Sequence, residues 1–175
     1  MKIIIKAQQG NSTQTIQKAL DEVFLAGGGT VEIEQGIYTI GAIRVRSNTT
    51  LCLKSGAVLK GTRDPDDYNI LASDKIEPLC EKDLKRIEWV FFPDIQRDNG
   101  CFSTPGSRWN HALIRVFEAK NVNIIGEKES LLDGCNCYDA LGEENYRGPH
   151  GISIMRSENI YCEGYTIQNT GNWAH

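Results

Sequence analysis

No stretch of this 175-residue chain is apolar for long enough to cross a membrane. Ile3-Ile4-Ile5, closed off by Lys2 and Lys6, is too short even for the core of a secretion signal. Taken as written, the chain is expected in the cytoplasm. Positive charge is scarce as well: the formal net charge is −4, so no basic field draws in nucleic acid or an anionic membrane, and neither is an expected partner. The six cysteines, without an export signal, are expected to stay reduced. Cys52 and Cys162 fall inside strand-like runs, where the expected role is that of a small buried hydrophobe. Cys135 and Cys137 are the one close pair to test for metal. No second Cys or His pair stands at zinc-ligand spacing, so neither a metal nor another cofactor is expected.

What the chain does have is a repeated corner. Asn48-Thr49-Thr50, Asn121-Val122-Asn123 and Asn159-Ile160-Tyr161 follow Ile43-Arg44-Val45-Arg46, Ile114-Arg115-Val116-Phe117 and Ile152-Ser153-Ile154-Met155. Asn tolerates the left-handed turn conformation better than other non-glycine residues, and stacked Asn side chains can bond to one another. The pattern predicts a β solenoid whose asparagines lie one above the next. The spacings are unequal, 121 − 48 = 73 and 159 − 121 = 38 residues. A solenoid accommodates this, because loops bulge from its corners while the stacked strands keep register. The competing architecture is a β-sandwich in which Asn merely opens turns. With 40% apolar residues and 17 glycines, the chain can fill one core and turn many tight corners.

One helix is written near the start. Ile16, Ala19, Leu20, Val23 and Phe24 form an apolar stripe, Asn11 and Gln14 resemble a capping box, and Gly27-Gly28-Gly29 stops the run. A helix over 11–26 would lie across the open first coil, bury its stripe and block strand addition, with no catalytic role. Between Gly61 and Asn110 the regular pattern stops, which predicts an insertion over 62–110, with a short helix around 81–86, walling a groove. The whole is expected to be a single partial β-helix domain over 1–175.

These pieces, in order, carry a resemblance. The helix region, Gly36-Ile37-Tyr38, Ser47-Asn48-Thr49-Thr50-Leu51, Gly56-Ala57-Val58-Leu59-Lys60-Gly61 and Asp64-Pro65-Asp66-Asp67-Tyr68 resemble the opening of glycoside hydrolase family 28, the polygalacturonases. Leu131-Leu132-Asp133-Gly134 resembles the family's Ile-Asp-Gly step, and Arg147-Gly148-Pro149-His150 its Arg-Pro segment. Asn169-Thr170-Gly171-Asn172-Trp173 is similar to the Trp-containing stretch just ahead of the family's active-site coils. The resemblance implies a right-handed parallel β-helix and inverting hydrolysis of galacturonan or a related pectic chain. It also implies that the catalytic carboxylates, an Asn-Thr-Asp segment and an Asp-Asp pair, lie beyond His175. No carboxylate pair here maps onto the acid and base of an inverting hydrolase, so no catalytic residue is assigned. The chain is expected to be the amino-terminal part of such an enzyme, inactive by itself.

Binding residues are the better candidates. A galacturonate chain carries a carboxylate on each sugar, so a groove for it needs Arg or Lys for charge, His or Asn for hydroxyls and an aromatic face for the ring. Arg147, His150, Trp173 and His175 cluster in the segment that the resemblance sets beside the active coils. Trp173 would alternatively fill space under a further coil, and Arg147 would alternatively pin its loop to backbone carbonyls. Asp64, Asp66 and Asp67 read as turn chemistry, Asp133 as a corner cap, and Glu143 and Glu144 as a solvated loop. Two other classes stay open. One is a polysaccharide lyase, for which the 64–67 group would be the candidate calcium site; the other is a non-catalytic carbohydrate-binding solenoid. The last coil, over 152–167, is expected to present unpaired edges and to self-associate.

Overall fold

The computed structural model describes residues 1–68 and 111–175. Most of the expected 62–110 insertion, including the helix around 81–86, lies outside the described residues. Its first piece, Pro65–Tyr68, is a single 3-10 turn.

The chain repeats one circuit through three parallel sheets. Strands β1 (Lys2–Ile5), β2 (Gly29–Ile33), β5 (Thr49–Leu53), β8 (Lys120–Gly126) and β11 (Glu158–Glu163) form the first sheet. The second holds β3 (Gly36–Ile40), β6 (Ala57–Gly61), β9 (Leu131–Asp133) and β12 (Thr166–Gln168). The third holds β4 (Ile43–Val45), β7 (Ala112–Phe117) and β10 (His150–Met155). Each circuit visits the sheets in the same order, and every pairing is parallel. This is a right-handed parallel β-helix, the handedness that parallel crossovers adopt. The sandwich alternative falls, because a sandwich is built from antiparallel strands.

Strand alternation makes the core a set of columns. Val31, Leu51, Ile124 and Cys162 stack through the first sheet, Tyr38, Leu59, Leu132 and Ile167 through the second, and Ile43, Ile114 and Ile152 through the third. The inward residues of the earlier coils are fully buried, whereas Cys162 and Ile167 in the last coil are half-buried. The expectation of buried cysteines is corrected at both positions. Cys52 sits between the inward Leu51 and Leu53 and so faces outward; Cys162 faces inward but is incompletely covered. Among the described cysteines Cys137 is the buried one.

The asparagine ladder is formed. Asn48, Asn121 and Asn159 have φ of 58°, 57° and 58°. Asn121 Nδ2 donates to Asn48 Oδ1 at 3.0 Å, and Asn159 Nδ2 donates to Asn121 Oδ1 at 2.7 Å. The long spacing is the one that spans the passage from β6 to β7.

Helix α1 (Thr13–Leu25) closes the first coil and buries Ile16, Ala19, Leu20 and Val23. Phe24, expected in that stripe, is 37% exposed with the Arg46 guanidinium 5.4 Å from its ring. The N-cap is Ser12, not Asn11. The Asn11 carboxamide oxygen instead accepts from the Thr13 amide at 2.8 Å, an Asx turn leading into the helix. At the other end Gly27, with φ of 89°, allows a Schellman motif: the Gly28 amide donates to the Val23 carbonyl and the Gly27 amide to the Phe24 carbonyl.

The cap also satisfies backbone groups that the first coil would leave open. Gln17 accepts from the Arg44 amide at 2.7 Å and donates to the Arg44 carbonyl at 3.2 Å, so its side chain stands in for a neighbouring strand on β4. Thr13 accepts from the Gly41 amide, and the Ser12 amide donates to the Thr39 carbonyl of β3. Among the described residues no helix is long and apolar enough to cross a membrane.

Candidate functional site

The candidate residues lie at the corner between the second and third sheets in the last coils. Asp133 ends β9 and organises this corner. Its Oδ1 accepts from the Cys135 amide at 2.8 Å and from Asn169 Nδ2 at 3.1 Å, while Oδ2 accepts from Gln168 Nε2 at 3.3 Å. Burial pushes the carboxyl upward, but the bonds from Cys135, Asn169 and Gln168 outweigh it and hold Asp133 below the usual carboxylate range. Asp133 thus caps the corner and ties two successive coils together.

From this base residues 134–149 form a loop pinned against residues 169–172. The Asn136 amide donates to the Asn169 carbonyl at 2.8 Å, the Gly148 amide to the Gly171 carbonyl at 3.2 Å, and the Asn172 amide to the Pro149 carbonyl at 3.1 Å. A Cβ at Gly148 or Gly171 would fall 1.8 or 1.9 Å from the Cys137 carbonyl oxygen, so both positions require glycine. The Cys137 thiol is raised to about 11, by burial first and then by the negative charge of Asp139 and Asp64, and is a protonated thiol at neutral pH. No three His, Cys, Asp or Glu side chains gather to hold a metal ion among the described residues.

Three of the four expected binding residues meet here. Arg147 Nη1 donates to Asn172 Oδ1 at 3.4 Å, the same oxygen that accepts from the Trp173 amide at 3.1 Å. The His150 and Trp173 rings lie 5.9 Å apart, tilted by 46°. Asn172 therefore joins Arg147 to the backbone that carries Trp173, and Trp173 stands beside His150 at the start of β10. Trp173 is 54% exposed. His175 is held differently, by the Tyr165 hydroxyl 3.2 Å from its Nε2. Arg147 reaches two side chains here, its Nη1 donating to Asn172 Oδ1 and its Nε standing 3.2 Å from Glu144 Oε2.

The remaining carboxylates have structural settings. Asp64 Oδ1 accepts from the Asp66 amide at 3.0 Å, and the Asp64 carbonyl accepts from the Asp67 amide at 3.2 Å, which is turn chemistry. Sequence reasoning passed over Asn172, Tyr138 and Tyr146. The two tyrosines are exposed by 59% and 51% on a loop that reads as polar, and that exposure is not written in the sequence.

No family profile matches the chain, and no curated protein matches it in sequence. Solved structures do share its fold. A Parabacteroides merdae protein with a provisional glycosyl hydrolase name superposes with a TM-score of 0.66 at 19% identity, over 98% of this chain and 67% of its own. The polygalacturonase of Erwinia carotovora gives 0.61 at 17% identity, over 97% of this chain and 42% of that one. A hyperthermoactive exopolygalacturonase of Thermotoga maritima gives 0.61 at 16%, over 98% and 43%. The chain therefore has the β-helix fold found in polygalacturonases. It spans less than half the length of the two named polygalacturonases.

Proposed function

We propose that this chain is the amino-terminal part of a β-helical glycoside hydrolase acting on galacturonan or a related pectic chain. In this reading hydrolysis inverts the anomeric centre, and the paired carboxylates belong to coils that would follow His175. The observation that carries the proposal is the gathering of Arg147, His150 and Trp173 at one exposed corner, where Asn172 links Arg147 to the Trp173 backbone and the Trp173 ring lies beside His150. A cation, an imidazole and an open indole face supply the charge, hydroxyl partner and stacking surface that a uronate chain needs. The fold shared with polygalacturonases supports the same substrate class. His175 is proposed as an outlying contact of that surface.

The test is calorimetric titration of the chain with oligogalacturonate, paired with a reducing-sugar assay. Binding without cleavage is expected, weakened about tenfold by Trp173→Ala and abolished at high salt. Absence of binding, or binding indifferent to Trp173 and Arg147, overturns the reading. Cleavage by the chain alone overturns the assignment of the carboxylates.

A further inference from the structure

The corner that holds the candidate residues also concentrates the negative charge of the molecule. Residues 60–67 and 131–150 meet there: Lys60 stands in register with Asp133, and Arg63 Nε donates to the Cys135 carbonyl at 3.3 Å. Together these stretches carry the cations Lys60, Arg63 and Arg147 against seven carboxylates, and 3 − 7 = −4 is the formal net charge of the whole chain. The rest of the chain is neutral on balance. The Cys137 thiol registers the excess, since after burial it is Asp139 and then Asp64 that push it upward, with Asp67 acting in the same sense. Three large side chains stand open in this setting, Tyr138, Leu141 and Tyr146 on the 134–149 loop. The Leu141 amide donates to Asp139 Oδ1 at 2.9 Å and the Asp139 amide to the Tyr146 carbonyl at 3.1 Å, so the stretches that carry them lie against one another. Exposed apolar and aromatic groups gathered in this way mark a contact surface. Its charge selects the ligand: a free carboxylate entering the corner meets like charge, whereas an apolar methyl group meets ring faces.

We infer that this surface takes a partly methyl-esterified galacturonan, with one free carboxylate at Arg147 and the methyl esters of neighbouring sugars on Tyr138, Leu141 and Tyr146. The inference rests on the pectic reading proposed above and adds the ester to it. One guanidinium seats one carboxylate. In an unesterified chain every further sugar brings another negative charge into a corner that already holds more than twice as many carboxylates as cations. Esterification removes that charge and leaves a methyl group, which the open tyrosine rings and Leu141 shield from water. The surface therefore discriminates by charge as well as by contact, and it does so with uncharged side chains beside a single cation.

The test titrates the full chain calorimetrically with oligogalacturonates of one length, unesterified and half-esterified. The half-esterified oligomer is expected to bind about fivefold more tightly. Tyr138→Ala is expected to remove that advantage while leaving the unesterified oligomer within about twofold of wild type. Asp64→Asn combined with Asp67→Asn keeps the turn, because Asn at position 64 still offers an oxygen to the Asp66 amide. That double variant is expected to bind the unesterified oligomer about threefold more tightly, with the melting temperature unchanged. Equal or tighter binding of the unesterified oligomer by wild type overturns the ester preference, and so does a Tyr138→Ala variant that retains it. If Trp173→Ala still weakens the unesterified oligomer in that case, the pectic reading survives and only the ester fails. Binding of neither oligomer by wild type overturns both.

Discussion

Asn121 stands in the middle of the ladder, donating to Asn48 and accepting from Asn159 while holding a φ of 57°. Two separable effects therefore meet in one residue: the side-chain bonds and the tolerance of left-handed backbone. Asn121→Ala loses both and is expected to cost about 2 kcal/mol. Asn121→Gly loses only the bonds and should cost about 1 kcal/mol. Urea denaturation of the two variants measures the difference, and equal losses would show that the conformation carries no weight. Asp133 allows a pH test at the same scale. Its folded carboxyl titrates below its unfolded value, so its stabilising contribution is present above the unfolded value, about 4, and is lost as pH falls through the lower folded one. The stability gap between wild type and Asp133→Asn should therefore shrink as the pH is lowered below about 4. A gap that stays constant down to about pH 2.5 would mean that the bonds from Cys135, Asn169 and Gln168 do not favour the charged form.

At the scale of elements, helix α1 shows how far pattern reading reaches. Its apolar stripe was legible because the 3.6-residue period is a property of sequence alone, and four of the five stripe residues are buried. Its capping was not. Which of Asn11 and Ser12 caps depends on the backbone reaching Thr39 across the coil, and that is a tertiary fact. Gln17 was equally hidden, since a polar residue on a helix face normally faces water, whereas this one bonds the open edge of β4 as well as Asp21 on its own helix. Gln17→Ala leaves the Arg44 amide and carbonyl without those partners and is expected to cost about 2 kcal/mol. Hydrogen exchange should locate the loss at the Arg44 amide; loss spread evenly over the helix would count against the strand-mimic role. The candidate site divides in the same way. Arg147, His150 and Trp173 were suggested by residue type and order, whereas Asn172, which joins two of them, stands in the sequence as one more polar turn residue.

At the scale of the molecule, the two ends of the stack are unlike. The first coil is closed by α1 and β1, so its columns begin fully buried, while Cys162 and Ile167 in the last coil remain half-covered and Ile154 is 41% exposed. Stability in a solenoid is close to a sum of coil and interface contributions, so it should fall toward β10, β11 and β12. Leu51→Ala, deep in the first-sheet column, is expected to cost about 3 kcal/mol, and Ile167→Ala about half of that. The same gradient leaves β10, β11 and β12 as the last strands of their sheets, with Ile154 exposed on β10 and Tyr161 on β11. Edges of this kind pair with other chains unless a charge or a cover intervenes. The 175-residue chain should therefore sediment as a mixture whose average mass rises with concentration. Ile154→Lys, which sets a charge on β10 at the exposed end of the Val45–Val116 column, should shift it toward monomer. A concentration-independent monomer in the wild type would mean that the last coil is blunted by its own side chains, with Tyr161 and its bonded Glu163 the first to examine.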